Sequence, residues 1–368
     1  MKTQSDESKN TLNANWKKFL RIGIILFSLV ISYALNNYSA RFNYITQDMI
    51  SNYASFRSAD TNIVLITIDK NDFSQLGGYP ISRKYYAELI TKLTSLNVKA
   101  IGLEIFLSDV DSLRTTFDSE LIKTIKKSEH TVLASIIIED KLGFNSLQLP
   151  SVKKKNNSVL TGHVNYLETN GIFVPMNVFR GSFVEVPFAV RLAGKEIKED
   201  LIRINFYSKW NEYKKYSLAE FLSKKNGSME SLSTFKNKFI IIGVTDSTKS
   251  KPVKTPEGII SGLGLHAQFL DNILNDSYIN YRQSFNLTFA MIAVLLLLVF
   301  VPMKIRFAFV LLGYFVFYII VSVLIYNLFF IEINHFILLI AIGLIAVLEI
   351  YFTLNQSRHF LSETPSRN

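Results

Sequence analysis

The chain has 368 residues, with 40 Lys and Arg against 30 Asp and Glu, 49% hydrophobic residues and no cysteine. Its net charge of +10 is scattered, apart from one cluster at Lys153 to Lys155. This pattern excludes the dense basic stripe of a nucleic-acid-binding surface, so we expect no nucleic-acid partner. The absence of cysteine excludes disulfides and thiolate zinc sites, which leaves stability to a hydrophobic core.

Four apolar stretches predict transmembrane helices, because about 20 mostly apolar residues span the hydrocarbon core of a bilayer. The predicted spans are residues 19–35, 285–303, 307–331 and 335–354. Lys304 and Arg306 lie between the second and third spans, and the positive-inside rule places them in the cytoplasm. Residues 1–18 are then a cytoplasmic N-terminus, residues 36–284 an extracytoplasmic domain, and residues 355–368 a cytoplasmic tail too short for its own core.

The first apolar stretch has an alternative interpretation. A basic flank at Trp16-Lys17-Lys18 before a short apolar run also fits a cleavable signal peptide. The run is long for a signal core, and Tyr38-Ser39-Ala40 is only a weak cleavage site. We therefore favour an uncleaved anchor, which a mature N-terminus near Arg41 would refute.

The extracytoplasmic domain begins with a predicted stalk helix. Apolar residues recur every three or four positions, at the period of an amphipathic helix: Tyr38, Phe42, Ile45, Met49 and Tyr53. The pattern predicts that this stripe packs either on the domain or on a second copy of the chain.

The rest of the domain alternates apolar strands with amphipathic helices, the pattern of βαβ units in a parallel sheet. The predicted strands are residues 63–69, 100–106, 131–138, 201–207 and 239–244, and the predicted helices are residues 82–96, 118–128, 187–193, 217–223 and 265–274. Asn170-Gly171 lies between two short strands within residues 161–179 and predicts a hairpin. The fold class is therefore α/β, a mostly parallel sheet with a β-hairpin insertion, plus four transmembrane helices.

Acidic residues follow several of the strands, at the sheet edge where open parallel sheets bind ligands. They are Asp69, Glu104, Asp109 with Asp111, and Asp246. Clustered carboxylates would suit Ca²⁺ or Mg²⁺, whereas the alternative is that each one caps a helix or pairs with Arg83 or a lysine. We favour the alternative and predict no metal, and the residues indicate no particular cofactor.

Catalytic patterns are not recognisable in the sequence. The five histidines, at positions 130, 163, 266, 335 and 359, form no i,i+4 pair. His266 follows Gly262-Leu263-Gly264 at a predicted helix start, where backbone N–H groups bind anions, although a tight turn explains the glycines equally well. No nucleophile elbow, Walker loop or kinase motif is present, so we predict a binding domain rather than an enzyme.

Several segments, taken in order and spacing, resemble the second type of CHASE domain, the cyclase and histidine-kinase associated sensory extracellular domain. They are Asp48 in the stalk, Ile63 to Asp69, Gly78-Tyr79-Pro80 with Arg83, Ala100 to Phe106, Tyr216 to Leu222, Lys238 to Gly243, Thr255-Pro256 and Gly264 to Leu274. The resemblance covers roughly Arg41 to Ile279. It implies a bacterial, periplasm-facing sensory module, one usually joined to a cytoplasmic cyclase or kinase.

The sequence departs from that family in three ways. Glu104 stands where the family usually has Asp, and Lys249, Lys251 and Lys254 occupy a loop that often carries an acid before Thr-Pro. The lysines weaken any metal proposal. The third departure is that no cytoplasmic output domain follows the predicted spans.

Together these features predict a multi-pass protein of the cell inner membrane, with both termini cytoplasmic and the main domain periplasmic. It would bind a ligand or partner outside and relay the signal to a separate membrane signalling or envelope protein; the alternative is a structural scaffold that senses nothing. Besides the lipid bilayer, a second copy of the chain is a candidate partner. The candidate ligand-binding residues are Asp69, Arg83, Glu104, Asp109, Asp246, Thr255 and His266.

Overall fold

A computed structural model describes most of the chain. The described residues are 16, 19–28, 30–31, 34–55, 57–107, 115–128, 130–139, 145–151, 159–169, 171–180, 183–223, 234–279, 307–331 and 335–363. The chain divides into two compact units, one of Met1–Ile50 with Asn280–Asn368 and one of Ser51–Ile279. The predicted span 285–303 and Asp109 lie outside the described residues.

The elements follow one another in the alternating order that the sequence predicts. The strands are β1 (Ile63–Ile68), β2 (Ala100–Glu104), β3 (Thr131–Glu139), β4 (Asn145–Gln148), β5 (Leu160–His163), β6 (Leu167–Thr169), β7 (Gly171–Pro175), β8 (Val178–Arg180), β9 (Phe183–Glu185), β10 (Leu201–Arg203), β11 (Lys214–Ser217), β12 (Phe239–Val244), β13 (Val253–Thr255) and β14 (Gly258–Ile260). The helices are α1 (Phe19–Ser28), α2 (Asn36–Ala54), α3 (Lys70–Gln75), α4 (Arg83–Ser95), α5 (Thr115–Ser128), α6 (Phe188–Ala193), α7 (Leu218–Ser223), α8 (Gly262–Leu274), α9 (Phe307–Phe329) and α10 (His335–Glu363).

A seven-stranded sheet is the frame of the second unit, in the order β11-β1-β12-β2-β3-β4, with β5 also paired to β3. All of its pairs are parallel except β3 with β4. The central strands are apolar on both faces because helices cover both, as parallel sheets require. The predicted mixed α/β class with a mostly parallel sheet is therefore confirmed.

Alternate residues of each strand enter two separate cores. Ile63 and Leu65 of β1 join the core beneath α6 and α8, whereas Val64 and Ile66 join the core beneath α4 and α5. Each fully buried aliphatic side chain contributes roughly 1.5–3 kcal/mol. The two cores together fix β1, β12 and β2 side by side, which decides where their carboxyl ends meet.

Several element boundaries differ from the sequence prediction. The hairpin forms between β6 and β7, and β10 extends it to three strands. The strand predicted over residues 201–207 ends at Arg203, because residues 204–208 are buried against α8 instead of continuing the ladder. Helix α8 begins at Gly262 rather than Leu265, with the Ser261 side chain accepting the N–H of Gly264 at 3.3 Å.

The first unit contains α1, α9, α10 and most of α2. Among its described residues, one helix, His335–Phe352, is long and apolar enough to cross a membrane, and Phe19–Ser28 and Phe315–Phe329 are shorter apolar helices. Helix α10 continues to Glu363, nine residues into the predicted cytoplasmic tail that begins at residue 355. A hydrogen bond between the Tyr318 hydroxyl of α9 and the His335 ring of α10 joins these two helices.

Helix α2 buries polar residues and exposes apolar ones, the opposite of an ordinary surface helix. Its polar residues Asn43, Gln47 and Ser51 are buried. The exposed stripe, which we define as Tyr38, Phe42, Ile45, Met49 and Tyr53, has exposed fractions from 39 to 83%.

Candidate functional site

The carboxyl ends of β1, β12 and β2 lie side by side, as the sequence predicts. β12 lies between β1 and β2, so Asp69, Glu104 and Asp246 all follow adjacent parallel strands at one sheet edge. Their side chains nevertheless have different tasks. Among the described residues, no group of three or more His, Asp or Glu side chains comes together in a way that could hold a metal ion.

Asp69 is a helix cap. Its carboxylate accepts the backbone N–H groups of Asn71 at 2.8 Å and Asp72 at 3.2 Å, at the start of α3. The Asp72 carboxylate accepts the N–H of Asp69 in return, at 2.8 Å, which completes a capping box. The alternative that we favoured from the sequence, a capping carboxylate, describes this residue.

Arg83, Asp246 and Thr255 also have local partners. Arg83 forms a buried ion pair with Asp118 that ties α4 to α5. The Asp246 carboxylate accepts the backbone N–H of Thr248 at 2.8 Å and its hydroxyl at 2.5 Å, and these bonds lower the pKa of Asp246. The Thr255 hydroxyl donates to the Gly258 carbonyl at 2.8 Å within the β13–β14 hairpin.

Glu104 differs from the other acids. Its carboxylate lies where side chains of Gly243 in β12 and Gly262 in α8 would otherwise be, since a Cβ on either glycine would approach one of its oxygens to 2.7 Å. No described residue donates a hydrogen bond to it, and burial raises its pKa from 4.5 to about 8. A desolvated acid without a donor is costly to keep charged, so Glu104 is mostly protonated at neutral pH.

Tyr166 lies close to this carboxyl group. Burial raises the pKa of the Tyr166 phenol to about 12, with the negative charges of Glu168 and Glu104 adding to the shift. Lys251 lies over the Tyr166 ring, 5.2 Å from its centroid, and 3.7 Å from the Glu168 carboxylate. Glu104 and Tyr166 are each partly exposed, although the Tyr166 hydroxyl is buried.

Two histidines of this unit, His266 in α8 and His163 in β5, have neutral imidazole rings. His266 is buried in α8, 5.6 Å edge-to-face from the ring of Phe188, and burial lowers its pKa to about 3. Burial likewise lowers the pKa of His163 to about 4, while its Nε2 meets the Pro175 carbonyl at 2.9 Å.

The geometry therefore separates the predicted residues into two groups. Glu104 ends β2 and lies against Gly262, the first residue of α8, and His266 is in that helix four residues further on. Asp69, Arg83, Asp246 and Thr255 serve local structure. Sequence reasoning missed Tyr166 and His163, because both stand next to the hairpin insertion and carry no recognisable motif. What this cluster offers chemically is a protonated carboxyl group and a phenol beside aromatic surface.

The chain matches the CHASE2 domain over residues 24–303, which is most of its length. The chain belongs to the CHASE2 domain family. This is a family of extracellular sensory domains, and a sensory role is consistent with it. No curated protein and no solved structure matches the chain significantly.

In this CHASE2 domain, the far end of α8 is held by a buried amide network. The backbone N–H of Asn205 donates to the Asn272 side chain at 2.6 Å, and the Asn272 amide donates back to the Asn205 carbonyl at 3.0 Å. The Ser51 hydroxyl, near the end of α2, donates to the Asn205 side chain at 3.0 Å. One asparagine thus connects α2 with α8.

Asp271, the residue before Asn272 in the CHASE2 helix α8, is fully buried. Its carboxylate accepts the hydroxyls of Tyr207 at 2.5 Å and Tyr213 at 2.8 Å, and the N–H of Asp60 at 3.0 Å. Burial raises the pKa of Asp271 although these donors oppose the shift. A signal for this network was present in the sequence, since Gln268, Asp271 and Asn272 recur at helical spacing on one face of α8.

Proposed function

We propose that this chain is a membrane-anchored extracytoplasmic sensory protein that binds a small ligand or partner at the Glu104 edge. Binding would shift α8 and α2, and the predicted membrane helices would pass the change to a separate membrane signalling or envelope protein. In this proposal the domain binds its ligand and does not turn it over. Both termini lie in the cytoplasm of a cell whose inner membrane holds the spans.

One observation carries the proposal: α8 connects the candidate site with the end of α2. Its first residue, Gly262, is against the Glu104 carboxyl group, and its Asn272 bonds to the asparagine that holds Ser51. Ten residues of helix separate these ends by about 15 Å. A ligand that moves the first turn of α8 therefore acts directly on the groups that fix α2.

The energy required is modest. Coupling between two sites is typically about 1–3 kcal/mol, which biases a two-state element five- to 150-fold. A basic ligand that takes the proton from the Glu104 carboxyl group and pairs with the carboxylate changes the charge at the N-terminus of α8, where the helix dipole favours negative charge. The site is thus placed where a small electrostatic change alters the position of a helix.

The burial pattern of the first unit supports the membrane part of the proposal. Tyr318, Ser322 and Tyr326 of α9 are buried, whereas Ile320, Leu324 and Leu328 of the same helix are exposed. Polar side chains that face protein and apolar ones that face outward are the arrangement expected of a helix in lipid. Water would make the same arrangement unfavourable.

The proposal is tested by ligand response in the purified full-length chain. A panel of small amines, carboxylates and phosphates is screened by thermal shift against wild type, Glu104→Gln and Glu88→Gln, the last being an exposed acid on α4. We expect at least one compound to stabilise wild type and Glu88→Gln and to lose at least tenfold in affinity with Glu104→Gln.

Two results would contradict it. Equal binding by all three proteins would remove the ligand from the Glu104 edge. A partner that co-purifies in constant amount while no compound shifts any of the three proteins would favour a scaffold over a sensor.

A further inference from the structure

The exposed stripe of α2 has a heptad spacing. Tyr38, Phe42, Ile45 and Met49 follow one another at steps of four, three and four residues, and all four are exposed. Leu35, three residues before Tyr38 and just outside the helix, extends the same spacing and is also exposed. This is the a/d repeat that lines the seam of a two-stranded coiled coil. Tyr53, the last member of the stripe, flanks the seam one turn further on.

The helix cannot bury this stripe by turning over. Asn43 accepts the backbone N–H of Phe336 at 2.9 Å, and Ser51 donates to Asn205 at 3.0 Å. Gln47 between them is also buried, and Phe42 of the stripe packs edge-to-face on Phe336, with 5.7 Å between ring centroids, while remaining 39% exposed. A rotation of about 180° would break these bonds and leave buried amides unpaired, at a cost of about 1–3 kcal/mol each.

We propose that the stripe packs against the same stripe of a second copy of the chain, in a parallel two-fold seam. Two copies inserted in one membrane have their α2 helices parallel, so identical residues meet and the interface is self-complementary. The proposal stands on the geometry of α2 and does not depend on ligand sensing at Glu104.

The flanking positions are compatible with a parallel pair. In the heptad that places Phe42 at a, Arg41 and Asp48 occupy g, whereas Ser39, Thr46 and Tyr53 occupy e. A g residue meets the e residue five positions later on the partner helix, so Arg41 faces Thr46 and Asp48 faces Tyr53. No like charges oppose each other across the seam.

The area that the stripe offers is at the lower limit for a specific interface. Aromatic side chains each bury 150–250 Å² when covered, so this stripe would bury on the order of 600 Å² per copy. Specific interfaces bury about 800 Å² per partner. Two heptads alone are marginal in water, but anchoring both copies in one bilayer raises the effective concentration of each helix for the other.

Disulfide trapping tests the proposal cleanly, because the chain has no native cysteine. Phe42→Cys, Ile45→Cys and Met49→Cys are compared with Ala40→Cys, which lies on the opposite side of α2, in the full-length chain in native membranes. Residues a and d of a parallel pair come within the reach of a disulfide. We expect at least tenfold more cross-linked dimer at the three stripe positions than at Ala40→Cys.

Ile45→Glu, with Ala40→Glu as its control, provides a second measurement by light scattering of the detergent-solubilised chain. We expect wild type and Ala40→Glu to be dimeric and Ile45→Glu to be at least tenfold more dissociated. Absence of dimer at all three cysteine positions, or equal cross-linking at Ala40→Cys, would overturn the proposal. Stripe cysteines that are protected from a water-soluble maleimide without cross-linking would identify lipid as the occupant and would overturn it too.

Discussion

The two units of this chain differ in which side chains they bury. In Ser51–Ile279 the aliphatic residues of the sheet are buried on both faces, and lysines such as Lys84 and Lys249 are exposed. In the first unit, Ser28, Ser322 and Tyr326 are buried while large apolar residues of the same helices face outward. The second unit therefore buries aliphatic residues and exposes charged ones, whereas helices of the first unit bury polar residues and expose apolar ones.

Under the proposed function, the difference reflects the surroundings of each unit, water for the second and lipid for the first. Water drives apolar side chains inward because their burial releases about 25 cal/mol per Å². Lipid removes that driving force, so helices associate through polar contacts and close packing instead. Helix α2 also has its polar face buried and its apolar face exposed, and for that face we propose a second copy of the chain as the partner.

The largest expected effect comes from the same substitution made once in each unit. Leu93→Ala removes a fully buried residue of α4 and should lower the free energy of unfolding by about 2–5 kcal/mol. Leu324→Ala on α9, 45% exposed, should change it by about 0.5 kcal/mol or less. Thermal unfolding of the detergent-solubilised chain measures both. Equal losses would mean that Leu324 packs against protein.

A charge placed on an exposed isoleucine should reverse that order. Ile320→Arg on α9 puts a guanidinium among outward-facing apolar residues, which costs about 3 kcal/mol if they face lipid. Ile259→Arg on β14, 71% exposed, should cost about 0.5 kcal/mol or less. The yield of chain that resists alkaline extraction from membranes measures insertion. Equal yields for the two variants would contradict a lipid environment for α9.

Glu104 makes the stability of the second unit depend on pH. Its pKa is about 8 when folded and 4.5 when unfolded, so between these values the folded state holds a proton that the unfolded state has released. The stabilisation is complete below pH 4.5 and is lost as pH rises through 8. At about 1.4 kcal/mol per pKa unit this difference in pKa corresponds to about 5 kcal/mol, and solvent screening at the partly exposed carboxyl group reduces it. Glu104→Gln should therefore be more stable than wild type by on the order of 2–3 kcal/mol above pH 8.

Thermal unfolding between pH 6.5 and 9 measures this effect with little interference. The buried imidazoles of His163 and His266, whose pKa values are lowered to about 4 and about 3, destabilise the fold only below pH 6.5. Glu88→Gln serves as the exposed control and should follow wild type. A Glu104→Gln curve parallel to wild type across this range would mean that the carboxyl group is solvated.

The smallest expected effect is at the connection between α2 and α8. Ser51→Ala removes a buried hydroxyl that donates to Asn205 and should cost about 1 kcal/mol. Ser74→Ala on the exposed face of α3 should cost less than half of that. Hydrogen exchange at residues 51–54 should rise in Ser51→Ala alone. Unchanged exchange would show that Asn205 does not hold α2.

The sequence was sufficient wherever a short run of residues determines its own structure. The burial of two strands on both faces was predictable, because their sequences are apolar without alternation: Ile63 to Ile68 and Phe239 to Val244. The hairpin was predictable from its Asn170-Gly171 turn. The edge strand β11 was missed because Lys214 and Lys215 give it no apolar pattern.

The candidate site was less predictable because it depends on contacts distant in sequence. Asp69 and Glu104 look alike as acids at strand ends, yet one caps α3 and the other lies against α8. Only the close approach of Gly243 and Gly262 distinguishes them. The exposure of the α2 stripe was equally hidden, since periodicity predicts that a face is apolar and not what covers it.

Labelling of single cysteines in spheroplasts tests the central claim most directly, that one unit lies outside the membrane and the helices of the other cross it. A membrane-impermeant maleimide is applied to Lys249→Cys, in the exposed loop after β12, and to Ser362→Cys, near the end of α10. The account predicts labelling of Lys249→Cys in intact spheroplasts and of Ser362→Cys only after permeabilisation. Labelling of Ser362→Cys alone in intact spheroplasts would contradict it.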